Sequence, residues 1–213
     1  MSNPTFIAEA GHDSHQHRFG GNSWRFSLPQ SASPSPSVIL SLDTSDERLS
    51  VGWRGELPLA SRLDTQIPKR QSYVVEQETR TLTFEGEPWL ATGAAISDLP
   101  NPLPARPLKL RALRPNEDLA TAPTRYDVED TFLGGKDSGF IRIGGAPLWL
   151  LDPEVIDCTC GREMRFVACV GYENYGQPSG LIAPGLAFFL GELALYFFAC
   201  EHCSRVAAVT QPT

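Results

Sequence analysis

The sequence predicts a mainly β fold, with an α+β arrangement as the open variant, divided into two related β-rich halves. Three observations predict it. Short runs of apolar, β-branched and aromatic residues alternate with clusters of Gly, Pro, Asn and Ser, the pattern of strands joined by turns. Glycine and proline each number 18 in 213 residues, which works against long helices. Finally, Arg18-Phe19-Gly20-Gly21 ahead of Trp24 returns as Arg142-Ile143-Gly144-Gly145 ahead of Trp149. This hints at internal repetition, and two glycines after a strand permit positive φ or close backbone approach.

The elements follow in order. Residues 1–17 are polar and lack periodicity, so they predict a flexible N-terminus; His12, His15 and His17 in it make at most a weak metal site. Residues 18–98 form the first β-rich half. Within it SASPSPS (31–37) is a polar loop, VILSLDT a strand, RLSVGW a short strand, and residues 73–84 a hairpin turning at Gln77-Glu78-Thr79. Residues 99–125 hold prolines at 100, 102, 104, 107, 115 and 123. Proline has no N–H for a ladder and breaks helices, so this segment reads as an extended connector excluded from a central strand. Its Arg106, Lys109, Arg111 and Arg114 read as solvated charges.

Residues 126–213 form the second half. FIRIGGAPLWLL gives a strand, a glycine turn and an aromatic anchor; MRFVACVGY and RVAAVTQ are further strands. Residues 181–200 are apolar and long enough to suggest a membrane span, but Pro184, Gly185, Gly191 and Glu192 interrupt them. The expectation is two buried strands with a turn at Gly191-Glu192, and no membrane contact.

The cysteines carry the strongest chemical signal. Cys158-Thr159-Cys160-Gly161 and Cys200-Glu201-His202-Cys203 are two knuckles separated by room for two or three strands. The N-terminus shows no basic region followed by an apolar run, so the expected compartment is the cytoplasm. There thiols stay reduced, and motif-spaced cysteines bind metal more often than they pair. Cys158, Cys160, Cys200 and Cys203 are therefore the expected ligands of one zinc ion, with Gly161 serving a tight turn whose N–H groups point at sulfur. Four thiolates leave no open coordination position, so the zinc is expected to be structural. His202 is an outward-facing alternative ligand, and Cys169 a core thiol.

Function classes narrow accordingly. A net charge of −7 disfavours a zinc-ribbon nucleic-acid reader. The GGKDSG stretch (134–139) lacks the spacing of a phosphate loop, and no G-x-S-x-G is present. An enzyme would need a carboxylate-lined cleft between the halves, with Asp64, Glu76 and Glu85 as candidate acids. The leading expectation is a non-enzymatic protein-interaction domain, its acidic surface suiting a basic protein partner.

The order Gly-Gly-x-Pro-x-Trp-Leu, then a Cys knuckle with Met164 and Phe166, then Leu-Tyr-x-Phe-x-Cys-x-x-Cys resembles the YwqG-like bacterial proteins. More distantly it is similar to the programmed cell death 2 proteins. The resemblance covers roughly residues 140–210. It departs at Cys169-Val170, where the family has Leu or Ile followed by Gln, and at Val209-Thr210-Gln211, where the family ends in Trp-Gln. It implies a mainly β protein with two related halves that binds protein more than it catalyses, as an immunity protein or a dedicated chaperone.

Overall fold

The computed structural model describes residues 4–29, 35–63, 70–86, 98–114, 117, 139–176, 178–191 and 193–212. Its strands are β1 Thr5–Ala10, β2 Arg18–Phe19, β3 Arg25–Ser27, β4 Pro36–Asp43, β5 Glu56–Arg62 and β6 Arg70–Glu76. β7 Thr81–Glu85, β8 Arg106–Ala112, β9 Ile141–Gly144, β10 Arg165–Val170, β11 Leu193–Cys200 and β12 Arg205–Pro212 complete the set. All belong to one sheet, ordered β3-β7-β6-β12-β11-β10-β9-β1-β8-β2-β4-β5. Every ladder is antiparallel except β3 on β7. The fold is mainly β, as the turn-rich sequence predicts.

The order repeats itself about the β1–β8 pair. On one side run β8, β2, β4, β5; on the other, β1, β9, β10, β11. β2 and β9 are the two strands that carry the Arg-apolar-Gly-Gly element. β4 and β10, the next strand on each side, both lie in ladders broken by a register shift, between Val38 and Leu40 and between Phe166 and Ala168. The first strand of each half is exchanged: β1 pairs with β9, and β8 pairs with β2. The repetition stops at β6, which pairs with β12 instead of β5.

This exchange accounts for two departures from the sequence reading. The expected flexible N-terminus contains β1, whose Phe6 lies between Ala112 of β8 and Ile143 of β9. The expected connector contains β8, an interior strand of the sheet between β1 and β2. Of its prolines, 100, 102 and 104 precede the strand; within it only Pro107 occurs, and its carbonyl accepts the Gly11 N–H at 3.0 Å. Leu108 and Leu110 then face the core while Lys109 and Arg111 alternate outward. Arg111 pairs with Glu9 at 2.6 Å and with Glu117 at 2.6 Å, and Lys109 lies 3.6 Å from Glu9, so these charges are neutralised within the chain.

Other expectations divide similarly. VILSLDT lies in β4, MRFVACVGY holds β10, RVAAVTQ holds β12, and the 73–84 hairpin is β6 and β7. RLSVGW is no strand: a 3-10 turn, Glu47–Leu49, opens it, capped by Asp46. Of residues 181–200, only Leu193–Cys200 is a strand. Residues 181–190 are irregular because Pro184 and Gly185 close a tight turn bridged by Ala183 and Leu186. Leu181, Ile182, Ala187, Phe188 and Leu190 among them are still buried. The Glu173 carboxylate takes the place of a strand partner, accepting the N–H groups of Ser179 and Phe188, each at 2.5 Å. Glu192, half of the expected turn, lies outside the described residues, as do most of SASPSPS and of GGKDSG. Among the described residues no helix is long and apolar enough to cross a membrane.

The sheet curls until β5, at one end, packs against β6. The buried Tyr73 hydroxyl on β6 donates to the Pro58 carbonyl at 3.0 Å and accepts the Ala60 N–H at 2.7 Å, both on β5. Gln71 donates to Ser61 Oγ at 2.7 Å beside them. The inner face of the curl holds the main core, including Phe19, Leu40, Leu57, Leu59, Phe188 and Phe197.

Near the same seam, Glu56 accepts from Arg18 and the Trp24 indole at 3.0 Å each and from Arg80 at 2.8 Å. Burial alone would raise its pKa, but the Trp24 and Arg80 hydrogen bonds outweigh it and hold the carboxyl at about 2. A carboxyl depressed in the folded state stabilises above its ordinary 4.5, and that stability is lost as pH falls toward about 2. Glu56→Gln is therefore expected to lower the melting temperature at neutral pH and to flatten its decline across that acid window, read by thermal scans against pH.

Candidate metal centre

Strands β10 to β12 are buried on both faces, which is why LALYFFAC reads as an unbroken apolar run. Along β11, Leu195, Phe197 and Ala199 face the inner core. Ala194, Tyr196, Phe198 and Cys200 face a second, outer cluster with Leu150, Ile156, Cys158, Met164 and Cys169. The cover of this outer face is residues 145–164, the link between β9 and β10.

Gly144 and Gly145 start that cover, at φ +75° and +69°. A Cβ on Gly144 would lie 2.6 Å from the Pro4 carbonyl oxygen, so both the conformation and the close approach require glycine. Trp149 then packs at a tilt on Tyr196 and stacks on Phe198, with ring centroids 4.7 and 5.7 Å away. The Tyr196 hydroxyl donates to the Leu148 carbonyl at 2.7 Å and accepts the Leu150 N–H at 3.2 Å. Gln211, buried on β12, accepts the Leu150 and Leu151 N–H groups at 3.0 Å each.

The far end of the cover carries the first cysteine pair. Residues 156–164 fold back on themselves through Met164 N–H to Ile156 carbonyl (2.7 Å) and Cys158 N–H to Arg162 carbonyl (2.8 Å). Gly161 sits at φ +81° directly after Cys160. The second pair occupies the β11–β12 connection: Cys200 ends β11, and Cys203 lies in the four-residue turn before Arg205. Ser204, directly after Cys203, also takes a positive φ of +51°. Each pair is thus followed by a left-handed residue, which turns the backbone around the sulfurs.

The four sulfurs converge. Cys158 Sγ lies 3.1 Å from Cys203 Sγ, Cys160 Sγ lies 3.7 Å from Cys200 Sγ, and all four fall within 4.8 Å of one another. No cysteine is in a disulfide. Tetrahedral thiolate bonds of about 2.3 Å place sulfurs about 3.8 Å apart, and the observed spacing brackets that value. Backbone N–H groups aim at the sulfurs, from Cys160 at Cys158 and from His202 and Cys203 at Cys200. This is the hydrogen-bonded surround that orients metal-bound thiolates.

Electrostatics agree. Burial works against the Cys158 thiolate, but the Cys160 N–H and the neighbouring thiols outweigh it and bring its pKa to about 7. Burial and the adjacent Cys158 push Cys203 up to about 12, and burial raises Cys200 as well. Without a cation, Cys200 and Cys203 resist ionising beside the Cys158 thiolate. A divalent ion removes that conflict, so the donor set fits a metal ion.

The other sequence candidates do not join it. His202 is exposed beside a surface depression of about 230 Å³ that Arg162, Glu163, Arg165 and Glu201 also line. Cys169 is buried and its thiol pKa is raised by desolvation, as befits a core residue. Glu76 and Glu85 sit at opposite ends of the β6–β7 ladder, and Glu85 is held by Arg205 at 2.7 Å. Asp64 lies outside the described residues.

Sequence reasoning missed the role of the N-terminal histidines. His17 is buried: its Nδ1 accepts the Asp43 N–H at 3.2 Å and its Nε2 lies 2.9 Å from Asp46. His15 approaches the same carboxylate at 3.6 Å, and His12 is not part of the group. Arg48 already holds Asp46 at 2.7 Å, so a cation there would compete with a guanidinium. The group locks β2 to the 3-10 turn.

Comparison of the chain with family models, with curated proteins and with solved structures returned no match.

Proposed function

We propose that the chain is a non-enzymatic protein-interaction domain whose outer cover is fixed by a structural zinc ion on Cys158, Cys160, Cys200 and Cys203. The observation that carries this reading is the donor set itself: four sulfurs at tetrahedral spacing, at the edge of an apolar cluster. Thiolate softness and tetrahedral geometry favour zinc. Four protein ligands leave no position at which the metal can bind substrate or activate water. When bound, zinc supplies a cross-link and charge neutralisation; the chain's own residues orient the thiolates and keep water from the outer cluster.

Two further observations support interaction over catalysis. Glu76 donates nothing to a shared site with Glu85, since they occupy opposite ends of one ladder. The chain also carries net charge −7, which suits a basic protein surface and steers its approach. The resemblance to YwqG-like proteins adds the two roles that fit this chemistry, neutralising a toxin or escorting a client protein.

Affinity capture of the tagged chain from its native host tests the reading. One basic protein is expected in stoichiometric complex, and the reconstituted pair should weaken as salt rises. Recovery of no stable partner, together with turnover of a small molecule by the purified chain, would contradict it.

A further inference from the structure

The four sulfurs are not equivalent in where they sit. Cys160 is exposed, Cys203 half-buried, Cys158 and Cys200 buried. Cys158 Sγ lies 3.1 Å from Cys203 Sγ and Cys160 Sγ lies 3.7 Å from Cys200 Sγ, and both contacts run from one knuckle to the other. A disulfide needs the sulfurs to close to about 2.05 Å, and a link within Cys158-Thr159-Cys160 is strained at that spacing. The two inter-knuckle contacts together pair all four cysteines without that strained link, and they join the same two segments the metal would join.

From this geometry we infer that the cluster is a site of oxidative modification, at which a hydroperoxide converts the metal-held staple into two disulfide staples, Cys160–Cys200 and Cys158–Cys203. This rests on the four-thiolate reading of the site. The exposed Cys160 thiolate attacks the outer peroxide oxygen. A sulfur–oxygen bond forms, the oxygen–oxygen bond breaks, and the departing alkoxide or hydroxide takes a proton from solvent. The Cys200 thiolate then attacks the sulfenic sulfur: the disulfide forms, the sulfur–oxygen bond breaks, and hydroxide leaves as water after protonation. Each disulfide delivers two electrons to one hydroperoxide. After the first disulfide only Cys158 and Cys203 remain as ligands, and the metal is released. The second hydroperoxide oxidises that pair in the same way. The cover over Tyr196 and Phe198 stays attached throughout, so the fold passes between reducing and oxidising surroundings without losing its outer face.

Trypsin makes the pairing readable. Residues 143–162 hold Cys158 and Cys160, and residues 166–205 hold Cys200 and Cys203 together with Cys169. The zinc-loaded Cys169→Ala chain, in which every remaining cysteine belongs to the site, is titrated with hydrogen peroxide. One zinc ion per chain is expected to appear on a chromogenic chelator. Peptides 143–162 and 166–205 are then expected as a single species lacking four hydrogens, which fragmentation assigns to 160–200 and 158–203. The thermal transition should remain cooperative and should exceed that of the reduced, metal-free chain. Links inside either knuckle, sulfinic acids without a link between the peptides, or zinc retained under excess peroxide would overturn the proposal. Oxidation of the metal-free chain separates the two readings: a chain that never binds zinc but still forms the inter-knuckle pairs contradicts the zinc site and leaves the pairing standing.

Discussion

Removal of the metal by a strong chelator, or the double substitution of Cys158→Ser with Cys203→Ser, is expected to cost about 4 kcal/mol or more of unfolding free energy, the exceptional range that loss of a metal site reaches. The reason is topological. The 145–164 cover is held at its start by Gly144-Gly145 and in its middle by Tyr196 and Gln211. Its far end is tied to the β11–β12 turn chiefly through the sulfurs. Losing that tie also leaves several thiols crowded within 4.8 Å. The loss should be local first. Amide exchange is expected to accelerate at residues 156–164 and 200–205, while the inner-face core around Phe19, Leu57 and Phe197 keeps its protection. Denaturant titration with and without chelator measures the first part, and hydrogen exchange the second.

The second large effect concerns Tyr196. Its ring is fully buried, packed against Trp149, and its hydroxyl bridges the Leu148 carbonyl and the Leu150 N–H. Tyr196→Ala is expected to destabilise by about 3–5 kcal/mol, the cost of truncating a large aromatic in a close-packed core. Tyr196→Phe keeps the ring and removes only the hydroxyl. Leu150 N–H still has Gln211, so the loss falls on the Leu148 carbonyl and is expected at about 1 kcal/mol. The ratio of the two, read by denaturant unfolding, separates packing from hydrogen bonding in holding the cover. Because Tyr196 and the sulfurs secure one segment, the Tyr196→Ala and metal-removal losses should be non-additive.

The four-cysteine cluster was legible in the sequence because its information is local. A knuckle is a tight turn, and Cys-x-Cys-Gly and Cys-x-x-Cys encode it within four residues. The hairpin of β6 and β7 was legible for the same reason: both arms and the turn are contiguous. What escaped was long-range. β1 looks like part of a polar tail because its partners, β8 and β9, arrive about a hundred residues later or more. β8 looks like a linker because its prolines cluster ahead of the strand, with Pro107 tolerated near its start. Read one after the other, residues 18–98 and 126–213 suggest two separate halves. In the sheet their strands interleave, since β6 continues the sheet from β12 while β2 continues it from β8. His17 was misread for a related reason. Its burial depends on Asp43 and Asp46, more than two dozen residues away. Residues 181–190 show that apolar composition alone does not make a strand. Burial was correct there, but the backbone partners come from Glu173.

The most direct measurement is elemental analysis of the purified chain beside its Cys158→Ser and Cys203→Ser variants. The account predicts one equivalent of zinc per chain, falling well below half in either variant. Less than half an equivalent in the parent chain, unchanged by the substitutions, would contradict it.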